Sequence, residues 1–246
     1  MATPTDGPRT GYEERWRAHN SQRRELILSA AAGLVEQSRP GAPISVQRIA
    51  NRADLAKSVV YRQFKNKDDL VRSLRGYVVD TFADELERDL DISTGSLRSI
   101  LRRAIASAAE WMEDHPRLVE LLRSGPTDHD AAGSGDAMGE FRHRIVVRGQ
   151  ATIEAIGEII DRDSGPFTDV PFVVFAMVES TLTSWVRGEE LIHTRTRDEI
   201  VDTLTDITWS VLDGTARGAG LQVDPDAEFS TVVVAMAPTA TAPPSA

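Results

Sequence analysis

The side chains best suited to chemistry in this sequence are crowded into one short stretch. All three lysines, Lys57, Lys65 and Lys67, lie within eleven residues, with Tyr61, Arg62 and Gln63 between them. Ammonium and guanidinium groups interleaved with phenol and amide donors suit a polyanion. The charges neutralise phosphates, and the neutral donors reach phosphate oxygens or base edges. Residues 21–67 carry nine Lys/Arg against three Asp/Glu, a net of +6, whereas the rest of the chain carries 19 against 35, a net of −16. A basic segment on an acidic body is the asymmetry expected when one end of a protein meets nucleic acid. Catalytic patterns are missing: the sequence has no H-E-x-x-H, G-x-S-x-G, Walker or G-x-G-x-x-G motif. The absence of cysteine excludes disulfides, thiolate catalysis and cysteine-ligated metals. Asp128-His129-Asp130 with Gly133 begins like a calcium loop, but its twelfth position is Gly139 rather than glutamate, and the five histidines are scattered. No enzyme activity, cofactor or metal is expected.

The basic stretch must be held by helices. Val46, Ile49, Ala50 and Ala53 form a 3.6-period apolar stripe, and Ser45 stands at the N-cap position before it. After a turn at Asp54-Leu55, Val60 and Phe64 continue an inward face and leave Lys57, Ser58, Val59, Arg62 and Gln63 outward. Two short helices across a tight turn make a helix-turn-helix, whose second helix enters the DNA major groove. A preceding helix to about residue 38, capped at Asn20 or Ser21, supplies the stripe Ile27, Ala30, Ala31, Leu34 and Val35 as a third wall. Asn66 and Asp69 give a capping-box-like start to a long fourth helix, whose apolar face of Leu70, Leu74, Tyr77, Val78, Thr81, Phe82, Leu86 and Leu90 runs to about residue 91.

These residues also resemble a family. I-A-x-x-A, a turn, then K-S-V-V-Y-R-Q-F-K-N-K-x-x-L is similar to the DNA-binding domain of TetR/AcrR-type transcriptional regulators. The match is closest at Ile49, Ala50, Ala53, Tyr61, Phe64, Lys67 and Leu70, over roughly residues 21–90. The resemblance implies that Lys57, Ser58, Val59 and Gln63 face base edges. It implies that Ser45, Gln47, Tyr61 and Lys67 hold phosphates. The sequence departs from the pattern where the recognition helix begins: Asp54 stands at a turn position often held by glycine, and Ala56 at the usual Ser/Thr/Asn cap. Asp tolerates a positive φ, whereas a lost cap costs about 0.5–2 kcal/mol.

Downstream, apolar periodicity predicts further helices. One, to about residue 114, carries Ile100, Ile105, Trp111 and Met112; a short one covers residues 117–123, before a Gly/Asp/Ser loop at 125–139. Another runs to about residue 162, the most apolar run (168–187) reads as a buried helix, and the last helix covers about 196–217. The expected fold is all-α: an N-terminal three-helix helix-turn-helix domain and a C-terminal helical ligand-binding and dimerisation domain. The expected boundaries are a flexible arm at 1–19, the DNA-binding domain at 20–67, the regulatory domain at 68–221 and a low-complexity tail at 222–246. The resemblance implies a homodimer formed by the last two long helices, a double-stranded operator of two-fold symmetry, and a small apolar or amphipathic effector. Trp111, Met112, Phe141, Ile145, Phe175 and Trp185 are candidate walls for that effector. The N-terminus has no signal-peptide run and no later apolar run approaches 18 residues, so a cytoplasmic protein with no membrane partner is expected. The function read from all this is a DNA-binding regulator, a repressor released by its effector. The alternatives are a regulator that activates or needs no effector, and a helical binder or enzyme with a vestigial helix-turn-helix.

Overall fold

A computed structural model describes residues 9–39, 41–89, 92–124, 137–189, 192 and 194–237. Among the described residues all regular structure is helical: α1 Arg9–Glu36, α2 Val46–Arg52, α3 Lys57–Gln63, α4 Lys67–Asp89, α5 Leu97–Asp114, α6 Pro116–Arg123, α7 Ala137–Ile160, α8 Val170–Val186, α9 Arg197–Gly218 and α10 Phe229–Met236, with a 3₁₀ turn at Gly165–Phe167. The chain forms two compact units, Met1–Val79 with Arg117–Ala137, and Asp80–Pro116 with Met138–Ala246. Helix α4 contributes its first half to one unit and its second half to the other.

The first unit closes around the stripes that periodicity selects. Ile27, Ala30 and Ala31 of α1, Ile49 and Ala50 of α2, Val60 of α3, and Leu70, Leu74 and Val78 of α4 are all buried. Helix α6 joins this unit although its neighbours in sequence do not. Its start is fixed by the Glu36 carboxylate, which accepts from the Leu118 N–H at 3.0 Å, and its end by Arg75, whose Nε donates to the Leu121 carbonyl at 3.0 Å. A carboxylate at the start of a helix and a cation at its end both complement the helix dipole.

In the second unit α5 lies against α9. Salt bridges join Arg98 to Asp206, Arg102 to Asp202 at 2.8 Å, and Arg197 to Glu113 at 3.1 Å, so position rises on one helix as it falls on the other and the pair is antiparallel. Exposed pairs of this kind add little stability (about 0–1 kcal/mol each) but fix register. Thr196 and Glu199 form a reciprocal capping box at the start of α9. Arg144 of α7 reaches Asp80, Asp84 and Glu87 of α4 at 3.4, 2.9 and 3.1 Å, and the hydrogen bond to Asp84, then Glu87, raises its affinity for its proton.

Four expectations need correction. Helix α1 runs back through Asn20 and Ser21 to Arg9, so neither residue caps it, and the stretch read as a flexible arm is helical from Arg9. Asn20 is used elsewhere, as described below. Helix α8 forms as expected but is not buried in the protomer: Phe172 and Val173 are 50% and 48% exposed, and its buried residues are Val170, Leu182 and Thr183. The segment Gly165–Val186, of 22 residues and mean hydropathy 1.2, is long and apolar enough to cross a membrane on composition alone. Asp169 and Glu179 interrupt its apolar run, which is why it escapes notice as a continuous one. Finally, residues 229–236 of the tail form α10, held where the Phe229 N–H donates to the Gly95 carbonyl at 3.0 Å and Glu228 accepts from the Gly95 N–H. Leu90, the loop residues 125–136, His193 and residues 238–246, on which sequence readings also fell, lie outside the described residues.

Candidate nucleic-acid interface

The turn before the recognition helix forms because Asp54 adopts φ +53. That left-handed conformation lets the Leu55 N–H return to the Ala50 carbonyl at 2.9 Å and closes α2 against the next turn. Ala56 then takes φ −68 and ψ 141, the extended shape of an N-cap, with no side-chain hydrogen bond to complete it. The first turn of α3 therefore begins uncapped. Ser45 does cap α2, its hydroxyl oxygen accepting from the Arg48 N–H at 3.4 Å. Asn66 accepts from the Asp69 N–H at 2.8 Å and Asp69 from the Lys65 N–H at 2.9 Å, fixing the start of α4 directly behind α3.

Helix α3 buries Val60, and Phe64 follows it into the core at 3% exposure. The opposite side is open. Lys57, Ser58, Tyr61 and Arg62 are exposed, as are Lys65 and Lys67 just beyond the helix. Tyr61 is 56% exposed, so its ring is presented rather than packed, with the Lys57 ammonium 5.8 Å from its centroid. Among the described residues none of the three lysines has a carboxylate within salt-bridge distance. Val59 is half-buried, leaving part of its methyl surface outward. Gln47 is exposed, and its amide is shared with Asn51 at 2.9 Å one turn on.

Gln63 does not share the open position of the lysines. It is half-buried, and its amide nitrogen donates to the Asn20 carbonyl oxygen of α1. Its backbone carbonyl accepts from Arg24 at 2.8 Å. Arg24 also donates to the Ser73 hydroxyl at 2.6 Å and stands 4.4 Å above the Phe64 ring. One guanidinium thus ties α1, the end of the recognition helix and α4 together. Sequence reasoning counted Arg24 as one charge among nine. The available signal was its place one turn before Ile27 and Leu28, on the edge of the buried stripe, where a long cationic side chain can reach a helix C-terminus.

In the second unit, Trp111, Met112 and Phe141 are buried. They belong to an aromatic cluster in which the Phe82 ring stacks on Trp111 at 4.2 Å, meets Phe141 at 4.7 Å, and Phe141 meets Phe175 edge-on at 5.6 Å. Ile145 and Trp185 are half-buried, and the Trp185 indole donates to the Arg195 carbonyl at 2.9 Å. Phe82, which the sequence puts on the apolar face of the fourth helix but not among the candidate walls, holds the centre of the cluster from α4. Among the described residues no three His, Asp or Glu side chains stand close enough together to hold a metal ion.

A three-helix unit whose third helix, behind a tight turn, displays basic side chains without carboxylate partners among the described residues has the geometry of a helix-turn-helix DNA-binding domain. Residues 27–74 match the family model of bacterial regulatory proteins, tetR family. Over that segment the chain carries the DNA-binding domain of this family, and beyond it the chain is similar to regulators of the same kind. It is 24% identical over 216 residues to the uncharacterized HTH-type transcriptional regulator Rv0472c of Mycobacterium tuberculosis, covering 85% of this chain and 86% of that one. Among solved structures, a tetR-family transcriptional regulator from Streptomyces coelicolor superposes with a TM-score of 0.62 at 19% identity, over 88% of each chain. A TetR-like regulator from Rhodococcus gives a TM-score of 0.53 at 21% identity, over 78% of this chain and 96% of that one. These similarities extend the shared fold beyond the DNA-binding domain.

Proposed function

We propose that the protein is a homodimeric repressor that binds a near-palindromic operator and is released by a small apolar or amphipathic effector. The observation that carries the reading is the exposed face of α3, where Lys57 and Tyr61 stand one turn apart with Lys65 and Lys67 beyond and, among the described residues, no carboxylate neutralises them. In this reading Lys57 and Ser58 meet base edges, Val59 touches a thymine methyl, and Tyr61, Lys67, Ser45 and Gln47 hold phosphates. Gln63 is given a supporting part, since its amide is engaged by Asn20. The exposed apolar side of α8 supports dimerisation: Phe172 and Val173 are available to a partner copy, and Ile207 of α9 is 44% exposed. The effector site is assigned to the aromatic cluster of Phe82, Trp111, Phe141 and Phe175, where separating rings would open an apolar pocket. The protein works in the cytoplasm, without an enzymatic reaction of its own.

The test is selection from fragmented genomic DNA of the source organism at physiological salt, followed by sequencing. Enrichment of one two-fold symmetric motif, lost in Tyr61→Ala and weakened uniformly in Lys67→Ala, supports the reading. Tight operator binding by both variants refutes the assigned contacts.

A further inference from the structure

The first unit contains a cleft of about 250 Å³ that meets the proposed DNA-binding surface at Ser45 alone of its assigned residues. It lies among the end of α1, the loop that follows, the start of α2, and α6. Its floor is apolar, built from Leu34, Val35, Ile44 and Leu121, and arginines stand around it. Arg117 shares its charge with Glu120 at 3.4 Å, and among the described residues Glu120 is the one carboxylate lining the cleft. Arg39 and Arg48 are exposed and, among the described residues, have no acidic partner. Ligand pockets for drug-sized molecules run to roughly 300–1,000 Å³, so this volume suits something smaller.

We infer that this cleft binds a small amphipathic carboxylate, its apolar body against Leu34, Val35, Ile44 and Leu121 and its head between Arg39 and Arg48. A planar guanidinium pairs with a carboxylate through two parallel hydrogen bonds, and the two arginines leave a positive rim that the apolar floor alone would not require. The site is separate from the aromatic cluster of the second unit. Because Ser45 lines the cleft and also caps α2, an occupant bears directly on the helix that precedes the recognition helix.

The chain has no cysteine, so a single introduced thiol reports on one place. Ser124 lines the cleft and is exposed. In the full-length Ser124→Cys protein, modification by N-ethylmaleimide is timed against rising octanoate, with 1-octanol as the uncharged comparison and Ser230→Cys on α10 as the remote reporter. Should Ser124→Cys not fold, Ser38→Cys gives the same readout from the opposite wall. The expected result is saturable protection by octanoate, little protection by octanol, and none at the remote thiol. Adding Arg39→Ala and Arg48→Ala weakens that protection by about tenfold or more, as loss of a charge-assisted head contact requires. Absence of saturable protection overturns the inference, as does equal protection by octanoate and octanol. Unchanged protection in the arginine variants overturns it equally. None of these outcomes depends on operator recognition.

Discussion

Arg24 is the side chain whose loss most clearly separates positioning from contact in DNA recognition. Arg24→Ala removes a 2.8 Å hydrogen bond to the carbonyl of Gln63, a 2.6 Å hydrogen bond to Ser73 and a guanidinium 4.4 Å above Phe64. A hydrogen bond from a charged donor is worth about 1.5–3 kcal/mol net, and a cation over an aromatic face at a partly exposed site about 0.5–1 kcal/mol. The three contacts share one half-buried group and do not add in full, so a local loss of about 2–3 kcal/mol is expected. Amide hydrogen exchange reads it directly: exchange through local opening at the end of α3 should quicken by roughly 30- to 150-fold, with α9 unaffected. Operator affinity falls as well, because the recognition helix is no longer held. The salt dependence separates the causes. Arg24 is used inside the protein, so the slope of log affinity against log salt stays unchanged, whereas Lys67→Ala reduces that slope by about 0.9 for one phosphate contact. A slope reduced by Arg24→Ala, or unaltered exchange in α3, would refute the clamp.

Three further outcomes follow from other parts of the structure. Ala56→Ser places a capping hydroxyl on a backbone already at φ −68 and ψ 141, so α3 should gain about 0.5–2 kcal/mol, measured as slower amide exchange in its first turn. Glu199 is held below the ordinary carboxylate value of 4.5 chiefly by the Thr196 backbone N–H and then by its hydroxyl, so its contribution is complete above that value and is lost as pH falls through the lower folded one. Glu199→Gln should therefore flatten the acid limb of stability below about pH 5, read by thermal melts at stepped pH, whereas Thr196→Ala, which keeps the backbone N–H, should flatten it only in part. Phe172→Asp or Val173→Asp puts a charge on the exposed apolar face of α8 and should yield monomer by analytical ultracentrifugation, whereas Val234→Asp on α10, at 72% exposure, should not.

What could be read from sequence depended on whether the partner of a residue was close in the chain. The turn at Asp54, the Ser45 cap and the Asn66–Asp69 start of α4 involve residues within five positions, and each has a local signature. The core stripes of α2 and α4 follow from periodicity alone. Asn20 looked like a cap because its type favours that role, but its carbonyl oxygen receives Gln63 from 43 positions away. That long-range use leaves nothing to stop α1, which continues to Arg9. The same distance hid the true setting of Gln63, which the pattern turned outward. Helix α10 was illegible for a similar reason. Val232-Val233-Val234 has weak helix propensity, and the element depends on Phe229 and Glu228 meeting Gly95, more than 130 residues earlier. At the candidate interface, the lysines and Tyr61 were readable because exposure needs no partner.

Helix α6 shows how a signal to the DNA-binding unit can be carried by residues with no role in DNA contact. It follows α5 with His115 alone between them, so under the proposed function a change that an effector made at the end of α5 would reach Pro116 through one residue. Within the first unit α6 is not free to absorb such a change. Glu36 accepts from its first turn and Arg75 donates to its last, and burial holds the Arg75 guanidinium below its ordinary value, as expected of a cation committed to a protein partner rather than to water. Glu36 is the last residue of α1 and Arg75 lies on α4, the same two helices that Arg24 ties to the recognition helix. Displacing α6 must therefore break one of these bonds or move α1 or α4. Either outcome alters the support of α3, and a ligand need supply only the differential energy between two such arrangements to change affinity for an operator.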